Sequence, residues 1–147
     1  MSDWLAWQFG KARGDVILGY YDCATSRCGI ISWFLIYCLL KVNGLIKVED
    51  MGDIPDRLEA LGGQDERIRL LLAKGVLTSR QAKSLMKMHL FRANHCRHFF
   101  FKHRYLGIRC LVDGIRTVRE LLSLLRDETF MAKVPHDLVP ECIWGLA

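Results

Sequence analysis

Proline is scarce in this chain, with Pro55, Pro135 and Pro140 the only three among 147 residues. Between Pro55 and Pro135 no pyrrolidine ring interrupts a helix. Strand signals are nearly missing as well. Alternating β-branched residues do not occur, and only Gly44–Val48 reads as a short extended piece. The chain therefore reads as mostly helical. No apolar run approaches the roughly 20 residues that span a bilayer. The longest, GIISWFLIYCLL from Gly29 to Leu40, lies between Arg27 and Lys41 and predicts a buried core helix. The first fifteen residues hold Asp3, Trp4, Trp7, Lys11 and Arg13, and lack the apolar centre of a secretory signal. Internal repeats and low-complexity stretches are absent too. With 51% hydrophobic and 25% charged residues, the composition excludes a disordered tail or a collagen-like rod.

What is present suits one domain over residues 1–147, with 1–28 and 131–147 expected to be partly irregular. Mean hydropathy is +0.12, so a large core is expected. The six cysteines (Cys23, Cys28, Cys38, Cys96, Cys110 and Cys142) are too scattered for a disulfide framework. They read as reduced thiols of a cytoplasmic protein.

Charge is segregated along the chain. The overall balance is +5, yet residues 67–119 hold thirteen cations and a single acid, Asp113. A solvated helix face ordinarily mixes both signs. A stretch this one-sided repels itself unless a polyanion or an acidic surface neutralises it. Nucleic acid is the expected partner, RNA ahead of DNA. An acidic protein is the alternative.

Helix punctuation is clear. Asp53 and Pro55 open a helix that Gly62-Gly63 stops. Residues 65–74 form a second helix ending at Gly75. Thr78 and Gln81 have capping-box spacing and open a long basic helix over residues 79–103. Its apolar stripe is Ala82, Leu85, Met86, His89, Ala93, Cys96 and Phe100. His89 reads as a core histidine. Gly107 is expected to break the chain, and Asp113 or Gly114 to start a last helix with Ile115, Val118, Leu121, Leu122 and Leu125 inward. The fold class is therefore all-α, a compact four- to five-helix bundle with a long basic central helix. Phe99, Phe100 and Phe101 cannot share one helix face, and the surplus aromatic surface points to a dimer contact.

The densest chemistry lies in RANHCRHFFFKHR, residues 92–104. His95, Cys96, His98 and His103 lack a second ligand pair at zinc spacing, so no metal site is expected. Metal-free RNA cleavage is a better match to these residue types. The 2′-hydroxyl is the nucleophile, a histidine near its ordinary pKa moves protons, and an arginine fork holds the phosphorane. Arg92 and His98 would take these roles, set about 120° apart on a continuous helix.

The block LLLAKGVLTSRQAKSLMKMHLFRANHCRHF, with DGIRTVRELLSLLRDE after it, resembles the centre and last helix of HEPN-type domains over residues 64–128. Their Arg-x(4–6)-His signature falls on Arg92 and His98. Ala93 stands where many members carry a polar residue, and Asn94 follows it. A second register, Arg97 to His103, encloses the three phenylalanines. The resemblance implies a homodimeric, metal-independent endoribonuclease without cofactor, of a toxin–antitoxin or antiphage system, with an antitoxin as a natural partner. Other members of that fold only bind. On this reading Arg92 grips the scissile phosphate and His98 transfers protons. Lys83, Lys87, Asn94, Arg97, Lys102 and Arg104 contact the nucleic acid. No membrane partner is expected. The alternative is a non-enzymatic regulator of phage or plasmid type, acting through the basic 67–119 segment.

Overall fold

The computed structural model describes residues 2–47, 58–94 and 103–125. Among the described residues five helices make up an all-α bundle, and no strand occurs. They are α1 (Ser2–Ile17), α2 (Tyr21–Val42), α3 (Gln64–Ala73), α4 (Ser79–Asn94) and α5 (His103–Leu124).

The helix at the centre is α2. It meets α5 most extensively, then α1, α4 and α3. Ala24, Ile31, Leu35 and Leu40 are fully buried, and all residues from Phe34 to Leu40 are buried. A helix buried around its whole circumference must be apolar on every side, and this explains the run from Gly29 to Leu40. The helix is longer than that run. At 22 residues it is long and apolar enough to cross a bilayer, but 72% of its apolar window is buried inside the bundle.

Residues 2–28 are helical apart from the turn at 18–20. Helix α1 turns Gln8, Phe9, Ala12 and Val16 into the core. The edge of Trp4 meets Phe34 with ring centroids 5.5 Å apart. The opposite face carries Trp7, Gly10, Gly14 and Ile17, so the contrast between two faces that marks an amphipathic helix is weak in the sequence. Arg27 Nε donates to Asp15 Oδ2 at 2.6 Å and ties α1 to α2. The extended piece expected at Gly44–Val48 is a turn where it is described: Gly44 has φ +68° and the Leu45 amide bonds to the Leu40 carbonyl at 2.9 Å.

Two of the helix stops lie where the sequence placed them. Gly62 and Gly75 sit at φ +87° and +73°, a region costly for any side chain bearing a Cβ. The helix expected from Asp53 lies outside the described residues up to position 57. At the start of α4 the capping box is closed in both directions. The Gln81 amide donates to Thr78 Oγ1 at 3.2 Å, and the Thr78 amide donates to Gln81 Oε1 at 3.0 Å. Thr78→Ala should therefore lower stability by about 1 kcal/mol, read as a shifted urea midpoint at unchanged m-value.

Helices α4 and α5 run antiparallel. Arg80 and Gln81 reach Glu120, whereas Met88, further along α4, meets Gly114, earlier on α5. Two expectations are corrected here. Gly107 does not break the chain, and α5 does not begin at Asp113; both lie inside one helix from His103 to Leu124. A single glycine costs a helix only about 1 kcal/mol, which the apolar face of α5 outweighs. That face (Leu111, Val112, Ile115, Val118, Leu121 and Leu125) is buried, with Leu122 half-buried. On α4 the buried stripe is Gln81, Ala82, Ser84, Leu85 and Met88, whereas Met86 and His89 are half-buried. The inward face is thus rotated from the predicted one, because Met88 fills the gap left by Gly114.

Candidate nucleic-acid interface

The basic segment spreads its cations over different duties. Arg67 is buried, and its Nε donates to the Leu58 carbonyl at 3.1 Å. Arg69 pairs with Asp65 one turn away, at 3.8 Å. Arg80 bridges to α5, meeting Asp113 at 3.5 Å and also Glu120. The acids missing from the sequence of α4 are therefore supplied by its antiparallel neighbour. Gln81 Nε2 donates to the same Glu120 carboxylate at 2.7 Å, which anchors it.

Lys74, Lys83, Lys87 and Arg116 are exposed, and no ion pair joins them to an acid among the described residues. Lys83 and Lys87 stand one helical turn apart on the outer face of α4. At 100° per residue, Leu90 and the backbone position of Asn94 fall within about 20° of Lys83. Leu90 is 59% exposed. Arg116 lies between Asp113 and Glu120 in the register of α5. The outer seam of the α4–α5 pair thus carries Arg80, Lys83, Lys87 and Arg116 against Asp113 and Glu120, and it stays positive.

Arg92 is on α4, but in register with Leu85 and about 180° from Lys83. The structure brings Lys83, Lys87 and the Asn94 position onto one stripe and does not bring Arg92 onto it. His98, Arg97 and Lys102 lie outside the described residues. Arg104 belongs to the first turn of α5.

On α2, Cys28 is enclosed and Cys23 is half-buried. Cys28 lines a small apolar cavity with Phe9, Val16, Leu111 and Ile115. Burial pushes its thiol up to about 12, so it is no nucleophile at neutral pH. Burial also raises Cys23, helped by the charges of Asp22 and Asp15. Among the described residues no group of three His, Cys, Asp or Glu side chains is placed to hold a metal.

Comparison with protein-family models, curated proteins and solved structures finds no match to this chain. What the geometry defines is a class: an all-helical bundle with an exposed cationic seam on two antiparallel helices. Arg67 and the Arg80–Glu120 bridge were missed as structural groups. Glu120 directly follows the basic segment in sequence, but its pairing with Arg80 depends on the packing of α5 against α4, which the sequence does not specify.

Proposed function

We propose that this chain is a cytoplasmic RNA-binding protein of HEPN-like type that takes the phosphate backbone along the outer seam of α4 and α5. The observation that carries this reading is the exposed pair Lys83 and Lys87, free of acids among the described residues, with Arg116 on the neighbouring helix. Cations left unpaired on a folded surface release counterions from a polyanion when it binds, which makes affinity fall with salt. Arg97, Lys102 and Arg104 would extend the track, and a second copy would double it.

Cleavage by Arg92 and His98 is the second half of the proposal. A purely binding role draws support from the position of Arg92, whose place on α4 is about 180° around the helix from that of Lys83. One experiment separates the two. Labelled single-stranded RNA is titrated with protein at two salt concentrations in EDTA, and the same samples are run on a denaturing gel. Lys83→Glu/Lys87→Glu should weaken binding at least about tenfold and flatten the salt slope by about 1.4. Cleavage that disappears in His98→Ala identifies the nuclease. Binding without cleavage identifies the regulator. RNA affinity unchanged in the double lysine variant overturns the interface itself.

A further inference from the structure

Helix α1 has two opposed faces, and the RNA-binding reading accounts for neither. One is buried: Gln8, Phe9, Ala12 and Val16. At 100° per residue, the positions Trp7, Gly10, Gly14, Ile17 and Leu18 occupy an arc of about 100° directly opposite. The large side chains there are open to solvent, with Trp7 54%, Ile17 65% and Leu18 68% exposed, and Tyr20 in the following turn is 56% exposed. Nothing lies within 4 Å of a Cβ built on Gly10 or Gly14. Several large apolar side chains exposed on one face of a small protein mark a contact surface.

Charge says what covers it. Exposed Lys11 and Arg13 border the arc on its two sides. Lys11 Nζ and the Arg27 guanidinium stand 5.7 and 5.9 Å from the centre of the Trp7 ring. Asp15 and Arg27 offset each other at the α1–α2 junction, 2.6 Å apart, and the position of Asp3 falls within the arc at its N-terminal end, so on α1 Lys11 and Arg13 outnumber the one remaining acid. An apolar arc with aromatics, edged by cations, is the pattern of a helix that lies in the headgroup region of an acidic bilayer. We propose that the outer face of α1, with the turn through Tyr20, binds an anionic lipid surface. A twofold pairing of two copies through this face fits less well, because it sets Lys11 against Lys11 and Arg13 against Arg13. RNA fits less well too, since Ile17 and Leu18 find nothing apolar on a phosphate backbone. The Gly29–Leu40 run plays no part in this contact and stays inside the bundle.

The test is co-sedimentation of the full chain with vesicles of phosphatidylcholine alone, and with about 30 mol% phosphatidylglycerol added. The protein should bind the acidic vesicles, with salt weakening the association. Ile17→Glu/Leu18→Glu should bind at least about tenfold less while circular dichroism and melting stay those of the parent. Lys11→Glu/Arg13→Glu, a second variant at exposed positions, should lose the preference for acidic lipid. Lys83→Glu/Lys87→Glu should bind vesicles as the parent does, so that failure of the RNA interface and failure of this one are told apart. No sedimentation with acidic vesicles overturns the proposal, as does equal binding by the Ile17/Leu18 variant. A parent dimer in light scattering that becomes monomeric in that variant, without vesicle binding, assigns the face to a second copy and overturns it as well.

Discussion

Gly114→Val should lower the unfolding free energy by about 3 kcal/mol, the upper end of what overpacking a core usually costs. The reason lies in one contact between α4 and α5. A Cβ built on Gly114 would sit 2.4 Å from Met88 Sδ and 3.2 Å from its Cγ. A methionine ordinarily adapts to intrusion, because its chain is unbranched and flexible. Met88 is constrained from doing so: it is fully buried, and the Ser32 hydroxyl of α2 lies 3.9 Å from its sulfur. That hydroxyl is itself fixed, donating to the Cys28 carbonyl at 2.6 Å. Three helices therefore converge on a thioether, and the absent side chain at position 114 is what lets them.

The background decides the sign of the smaller substitution. Gly114→Ala gains about 1 kcal/mol of helix propensity and loses more than that against Met88 in the parent, so the net effect is destabilising. In a Met88→Ala background the steric cost vanishes and the propensity gain remains. There Gly114→Ala should stabilise by about 1 kcal/mol. Urea melts of the four proteins give the coupling directly. Additive effects at the two sites would show that the close approach of α4 and α5 has no energetic weight.

The same contact shows why some of the fold was legible in the sequence and some was not. Local signals were reliable: Gly62 and Gly75 stop their helices, Thr78 and Gln81 cap α4, and Ile115, Val118, Leu121 and Leu125 face inward. Each is a property of a few consecutive residues. The errors came where a distant element decides. Glycine at 107 and 114 reads locally as punctuation, but at 114 it is a packing solution set by Met88 of another helix. The inward face of α4 was misjudged by a fraction of a turn for the same reason. For the site, the lysine stripe of α4 could be read from spacing alone. Its partial neutralisation through Arg80, Asp113 and Glu120 could not, because the partners are more than thirty positions apart in sequence. His98 lies outside the described residues, so its role rests on the proposed chemistry.

Arg67→Ala should destabilise by about 1.5–3 kcal/mol, the range for a hydrogen bond to a charged group, and should leave RNA affinity nearly unchanged. By sequence Arg67 is the first cation of the basic segment. In the fold it is a strut. Its Nε donates to the Leu58 carbonyl at 3.1 Å and a terminal nitrogen lies 3.4 Å from Gln64 Oε1, tying the turn before α3 to the helix itself. Burial pulls its pKa below the ordinary arginine value, opposed by the charges of Glu59 and Glu66. The guanidinium stays protonated throughout the neutral range. Removing it strips a donor from a buried carbonyl and leaves a gap where its stem was packed. Arg67→Lys should recover little of the loss, because an ammonium cannot reproduce the planar fork. Arg69→Ala, two positions away, is the control: its ion pair with Asp65 is 3.8 Å long and its side chain is 65% exposed, so the expected cost is below about 0.5 kcal/mol. The double lysine variant on α4 should behave in the opposite way, with stability near that of the parent and RNA affinity lost. If Arg67→Ala weakened RNA binding as much as Lys83→Glu/Lys87→Glu at equal folded fraction, the division between structural and binding cations would be wrong. The interface would then have to include the base of α3.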